Sequence, residues 1–499
     1  MDKEELGTII AQPESPSTTK FSFIVQTEKV RKGQFVTVET PSGLLLGLIT
    51  NIFKTNKYFE DADSVKNYSE ISTTFPVGEW ECTIANVKIL SNYNNSTDSP
   101  VERVNYPPSP GSKVFSAEPS LLTRFLGLDQ SGLFLGEVMH HQIDAKINMT
   151  KLLQKHLAIL AMSGAGKSYL VSVLIEELLS RAKDQPKIAV LVFDNHGEYL
   201  GFAQTPEFSK KTKIINAEDI KIGLRHFSGK AFSILIPELS EPQLRELGKV
   251  IGELNERKEA FDLDELIAAI ETNESIKSNL REILVSQLEE LKQTDLFAKS
   301  DSLNFEELLK PGELTIINFA NVSEQHIKQL IVYYLTQKIF RLRQKQKVPP
   351  YLEIIEEAHN FAPEKVKAKH ALSKNMIELL AREGRKFFAS LCLVSQRPIH
   401  LSTTALSQCN TQIFLRITNP YDLDHIGKSS EALTPDVLDS ISGLRVGEAL
   451  IVGEATNWPV FIRVRKRISK EVHGESLENY ASYWEKSMMK KLAKGAEFL

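Results

Sequence analysis

Leu157-Ala-Ile-Leu-Ala161-Met-Ser163-Gly164-Ala165-Gly166-Lys167-Ser168-Tyr169 is the stretch that decides the fold. An apolar run of strand length enters a glycine-spaced turn, and a helical pattern follows through Ser180. Strand, turn and helix in that order are the context a phosphate-binding loop requires. Glycines at 164 and 166 let the backbone turn its N–H groups inward, and the helix start adds partial positive charge. Ser163, Gly164, Ala165, Gly166, Lys167, Ser168 and Tyr169 are therefore the candidate nucleotide-binding residues. Lys167 is expected on the β- and γ-phosphates of ATP, and the Ser168 hydroxyl on Mg2+. Ala161 stands where the pattern has its first glycine; one added methyl is tolerated unless that residue needs a positive φ.

Outward from this stretch, apolar strands alternate with helical segments. The predicted strands are Leu157–Ala161, Ile188–Asp194, Phe232–Ile236, Leu314–Phe319, Tyr351–Glu356 and Ser390–Ser395. The alternation predicts a parallel sheet covered on both faces. Residues 241–309 read as helical throughout, an insertion on that core. Before the core, Phe21–Thr27 and Gln34–Thr40 alternate, Pro41-Ser-Gly43 turns, and Glu79–Leu90 is a further strand. A small barrel or sandwich is the economical reading. The chain thus divides into a β-barrel over 1–125, an α/β ATPase core over 126–240 and 310–467, the insertion, and a tail over 468–499.

Tyr351-Leu-Glu-Ile-Ile-Glu356-Glu357-Ala-His359 is the second chemical element. An apolar strand ending in paired carboxylates places one near the metal and the next at the attacking water. Glu356 takes the metal side, where Asp is usual, and Glu357 the role of catalytic base. His359 reads as a structural donor. The strand Ser390–Ser395 ends in Gln396, whose amide can donate to a phosphate and accept from water. Asp194-Asn-His-Gly-Glu198-Tyr199 ends a strand on the same sheet edge, and its acids serve either the metal and water or a turn. Arg382 and Arg385 close a helix before the Gln396 strand; they either complement its C-terminus or reach a neighbour's site. Lys365, Lys367 and Lys369 fall at every second position, a spacing that suits a DNA phosphate track in an extended loop.

The remaining composition sets limits. The 499 residues exceed one hydrophobic core, and a net charge of −4 gives no electrostatic sign of a nucleic-acid partner. Cys82, Cys392 and Cys409 lack metal-ligand or disulfide spacing. No apolar run is long enough to span a membrane, and no secretory signal is visible, so a cytoplasmic protein is expected.

Taken together, Lys155-His156 before the loop, Asp194-x-His196-Gly197-Glu198-Tyr199, Glu356-Glu357-Ala-His359-Asn-Phe, Arg382-Glu-Gly-Arg385-Lys386 and Ser395-Gln396-Arg397-Pro398 resemble the HerA family, ATPases of the HerA–FtsK group. The resemblance runs over nearly the full chain. It implies a RecA-like P-loop core behind an N-terminal β-barrel and a homo-hexameric ring threaded by double-stranded DNA. It also implies a NurA-type nuclease partner in resecting DNA ends for break repair. It assigns Gln396 as sensor, leaves Arg382 and Arg385 as alternatives for the residue acting in trans, and makes the tail after Ile468 an inter-subunit brace. Two other readings compete: a nucleotide-gated scaffold for a nuclease, and a secretion or conjugation pump ATPase.

Overall fold

The computed structural model describes residues 4–56, 81–93, 101–224, 232–233, 235–236, 238–256, 260–365, 371–429, 433, 435–472, 478, 481–482 and 484. The chain forms two compact units whose segments interleave along the sequence. One takes the described residues of 1–152, 160–166 and 410–466; the other takes those of 153–159, 167–409 and 467–499.

The first unit opens with β1 (Glu5–Ile10), β2 (Lys20–Val25), β3 (Phe35–Thr40), β4 (Gly43–Asn56), β5 (Glu81–Tyr93), the short β6 (Val101–Glu102) and β7 (Lys113–Ser116). The strands pair in the order β2-β1-β7-β3-β4-β5, and β5 pairs back onto β2, so an antiparallel barrel closes with no open edge. Alternate side chains, among them Leu6, Phe21, Phe23, Val36, Val38, Leu45, Val87 and Val114, fill its interior. β1 precedes the first alternating stretch at Phe21, and the pattern misses it because it is half-polar. A second antiparallel run follows. It uses β8 (Leu133–Val138) and β9 (Asp144–Ile147), together with three late strands, β18 (Thr411–Phe414), β19 (Glu448–Gly453) and β20 (Val460–Val464), in the order β18-β19-β20-β8-β9.

The second unit is the parallel sheet that the apolar strands predict. Its members are β10 (Leu157–Leu160), β11 (Ala189–Asp194), β12 (Thr212–Asn216), β15 (Leu314–Asn318), β16 (Tyr351–Ile355) and β17 (Ala389–Ser395), ordered β12-β15-β11-β16-β17-β10. A two-residue pair, β13 (Ile222–Gly223) with β14 (Phe297–Ala298), lies apart. In register, Asp194 lies beside Asn318, and Phe193 beside Ile355, which lies beside Leu393. The carboxyl ends of β11, β16 and β17 therefore finish level, at the edge where open α/β sheets bind ligands. The helices Lys167–Ser180 and Gln325–Gln344 bury residues on most of their faces.

One predicted strand is wrong. Phe232 and Ser233 are helical, and the Ile236 N–H donates to the Phe232 carbonyl at 2.8 Å. The sheet's edge strand is β12 instead, whose Thr-Lys-Ile-Ile-Asn sequence is half exposed. A short apolar run does not by itself distinguish helix from strand. Helices at Glu241–Glu256, Leu263–Glu271 and Ser278–Lys292 occupy the predicted helical segment. The middle one carries a capping box, with Asp262 accepting from the Glu265 N–H and Glu265 from the Asp262 N–H. Most of the tail, including residues 485–499, lies outside the described residues.

The sheet also holds a fully buried acid, Glu353 on β16. Its Oε1 accepts from the Thr336 hydroxyl at 2.6 Å, and its Oε2 has no partner. Burial pushes its carboxyl up to about 7, against the opposing Thr336 bond. The folded state therefore binds the extra proton between the unfolded value of 4.5 and about 7, and stability falls as pH rises through that window. In urea unfolding, Glu353→Gln should remove this slope. The variant should gain up to about 3 kcal/mol over the parent between pH 4 and pH 8.

Candidate functional site

The loop after β10 takes its shape from two glycines. Gly164 has φ of 75° and Gly166 has φ of 95°, conformations that side chains resist. Ala161, absent from the positive-φ residues, needs no glycine and is buried. Ser163 and Gly164 face solvent while Ala165 is buried. Lys167 begins the helix and buries its side chain.

Lys167 faces the ends of β16 and β17. Its Nζ donates to Glu357 Oε1 at 2.7 Å and lies 3.5 Å from Glu356 Oε1. Burial works against this ammonium, but Glu356 and Glu357 outweigh it and its pKa is raised. The Ser168 hydroxyl lies 3.5 Å from the same Glu356 oxygen. Glu356, fully buried, also accepts from the Tyr199 hydroxyl at 3.3 Å and from the Asn195 N–H at 3.3 Å. Burial drives its carboxyl well above the ordinary range; Lys167 opposes this, while Glu198 and Asp194 add to it. Glu198 sits against Ser168 and Glu356. Burial would raise it, but those two hydrogen-bond partners and Lys167 bring it below the ordinary value. Its Oε2 is buried without a partner.

Glu357 occupies a left-handed conformation, φ 49° and ψ 46°, two residues past the end of β16. A residue other than glycine bears strain there, of order 1–3 kcal/mol. The strained turn brings its carboxylate to Lys167 and to Gln396, whose Nε2 donates to Oε1 at 2.6 Å. His359 completes the surround, with Nδ1 3.4 Å from Glu357 Oε2 and 3.1 Å from Ser395 Oγ.

The other predicted residues separate. Asp194 accepts from the N–H groups of His196, Gly197, Glu198 and Tyr199 at 2.8–3.3 Å, so its carboxylate is used by the turn. Tyr169 turns its hydroxyl away to accept from the Arg467 N–H at 2.6 Å. Arg382 and Arg385 are exposed on either side of Gly384. A Cβ at Gly384 would stand 2.4 Å from the Ala389 carbonyl, so the helix can turn into β17 only with glycine there. Lys365 is exposed; Lys367 and Lys369 lie outside the described residues.

Sequence reasoning missed Asn195 and Tyr199 as partners of Glu356. It also missed Lys328, nine-tenths buried, which donates to Asn195 Oδ1 at 2.8 Å. The sequence pattern assigns His156 no role, but the structure does. Its Nδ1 accepts from the Leu391 N–H at 3.0 Å, and burial lowers it to about 4, so a neutral imidazole ties the start of β10 to β17.

Among the described residues, no set of three or more His, Cys, Asp and Glu side chains forms a ready-made metal cage. Ser168, Glu356 and the unpartnered Glu198 oxygen are instead an all-oxygen set. A hard divalent cation uses such a set when phosphates and water complete its shell.

The model of the central domain of helicase HerA matches residues 133–339. A probable helicase of Methanocaldococcus jannaschii is 29% identical over 491 residues, covering 93% of this chain and 91% of its own. A DNA double-strand break repair helicase HerA of Saccharolobus solfataricus is 27% identical over 491 residues, covering 92% of each. Among solved structures, VirB4 of Thermoanaerobacter pseudethanolicus aligns over 68% of this chain and 97% of its own, at 15% identity and a TM-score of 0.54. The fold and the residues at its strand ends define a P-loop ATPase of mixed α/β class with an N-terminal β-barrel. No helix among the described residues is long and apolar enough to cross a membrane. Within that class, the chain is similar over most of its length to helicases named HerA.

The loop geometry separates its small residues by role. Gly166→Ala should weaken binding of a fluorescent ATP analogue about tenfold, from the strain of its positive φ. Ala161→Gly should leave that affinity within about twofold.

Proposed function

We propose that this chain is an ATP-driven DNA translocase and helicase, acting as a homo-hexameric ring with a NurA-type nuclease in end resection for double-strand-break repair. One observation carries the ATPase part: Glu357 is held in a strained turn between Lys167 and Gln396. The relatives named as double-strand break repair helicases support the DNA part.

In this reading the loop's N–H groups and Lys167 take the triphosphate, which draws Lys167 from Glu357 and frees that carboxylate. Glu357 accepts a proton from the water attacking the γ-phosphate, and His359 fixes its second oxygen. Gln396, already on Glu357, connects base and γ-phosphate and reports whether the phosphate is present. Mg2+ would be held by Ser168 and Glu356, and it supplies charge neutralisation on the phosphates. Glu356 must lose its proton to serve, which nucleotide-bound cation favours. Arg382 or Arg385, both exposed, reaches the neighbouring subunit's nucleotide, and Lys365, Lys367 and Lys369 contact DNA phosphates. A cytoplasmic location suits a DNA substrate.

Lys167→Ala should reduce steady-state ATP turnover to background while circular dichroism shows an intact fold. Glu357→Gln should bind ATP with a dissociation constant within about threefold of the parent and lower kcat at least about 100-fold. Linear double-stranded DNA should raise the parent's ATPase rate, and more so with the purified nuclease. Full nuclease activation by the Glu357→Gln protein would instead favour a scaffold, and indifference to DNA in both settings would remove the translocase reading.

A further inference from the structure

We propose that Lys328 is a positioning residue for the metal-side carboxylate Glu356, acting through Asn195; the inference rests on the ATPase reading above. Lys328 stands in the first turn of the Gln325–Gln344 helix, and its Nζ donates to Asn195 Oδ1 at 2.8 Å. Asn195 in turn gives its backbone N–H to Glu356 Oε2 at 3.3 Å and pairs its Nδ2 with His196 Nε2 at 3.0 Å. Lys328 and Asn195 are both more than nine-tenths buried.

The choice of lysine is what needs explaining. Gln325 and Gln329, on the same helix face, tie the helix to the other acidic loop by donating to the Asn360 carbonyl at 3.0 and 2.7 Å. A neutral amide suffices there. At 328 the helix buries an ammonium instead; none of the described ion pairs includes it, and burial lowers its pKa with no neighbouring charge to oppose this. Its other company is the ring of Phe319, 5.9 Å away. Burying a cation without a counter-ion is costly, so a purely structural tie would favour glutamine or an apolar side chain. The charge faces the one amide whose backbone holds Glu356. Lys328 thereby fixes Asn195 so that its N–H stays on Glu356 Oε2, leaving Oε1 directed toward Ser168. Groups that orient a metal-binding carboxylate in this way shift metal affinity or activity by about 10–100-fold when removed.

The test compares the parent with Lys328→Met, Lys328→Gln, Asn195→Ala and the Lys328→Met/Asn195→Ala double variant in the full-length chain. Calorimetry measures Mn2+ binding in the presence of a non-hydrolysable ATP analogue, and ATPase assays measure kcat and KM. Lys328→Met should weaken Mn2+ at least about tenfold and lower kcat similarly, with the KM for ATP within about threefold. Lys328→Gln, which keeps an N–H donor, should recover part of both losses, and the double variant should be no worse than the poorer single. Unchanged Mn2+ affinity in a folded Lys328→Met protein, or multiplying losses in the double variant, would overturn the proposal. A parent that does not hydrolyse ATP would instead remove the ATPase reading itself.

Discussion

One buried ammonium has to serve several carboxyl groups, and the arrangement of the sheet edge follows from that shortage of positive charge. Lys167 faces Glu356 and Glu357 directly, with Glu198 close behind. Carboxylates without enough cation are expensive in a dry site, and the fold relieves them in different ways. Asp194 gives its oxygens to four backbone N–H groups. Glu357 accepts from both Lys167 and the Gln396 amide. Glu356, fully buried, is pushed toward its protonated form. A site balanced in this way is ready for a bound cation, which would let Glu356 ionise.

The same constraint explains the backbone strain at Glu357. Glu357 adopts a left-handed conformation so that its carboxylate turns back to Lys167 instead of continuing along β16. His156, also at positive φ, starts the P-loop strand and is locked to β17 through the Leu391 N–H. Strain of this kind persists where surrounding bonds over-determine it, and both residues are held by hydrogen bonds or ion pairs from a neighbouring strand or helix. At the C-terminal side, Glu176 of the P-loop helix accepts from Ile468 N–H, Ser469 N–H and the Ser469 hydroxyl at 2.7–2.9 Å. The segment leading into the tail is thus anchored to the helix that begins with Lys167.

What could be read in the sequence was what local spacing dictates. Lys167 and Ser168 follow from a glycine pattern between strand and helix, and Glu356, Glu357 and Gln396 from polar residues capping apolar strands. These five form one bonded set. Asn195, Tyr199 and Lys328 reach it from segments 28 to 161 positions away, through strand register and helix packing that no short pattern encodes. Strand β12 escaped notice because an edge strand needs little apolar character, while the apolar Phe232–Ile236 stretch attracted the assignment without being extended.

The claim at the centre is that Lys167 holds Glu357 only until a triphosphate arrives. The direct measurement is a crystal structure of this chain with a non-hydrolysable ATP analogue and Mg2+. The account predicts Lys167 Nζ on the phosphates, away from its present 2.7 Å contact, with Glu357 still bonded to Gln396. An intact Lys167–Glu357 contact with the nucleotide seated elsewhere would contradict it.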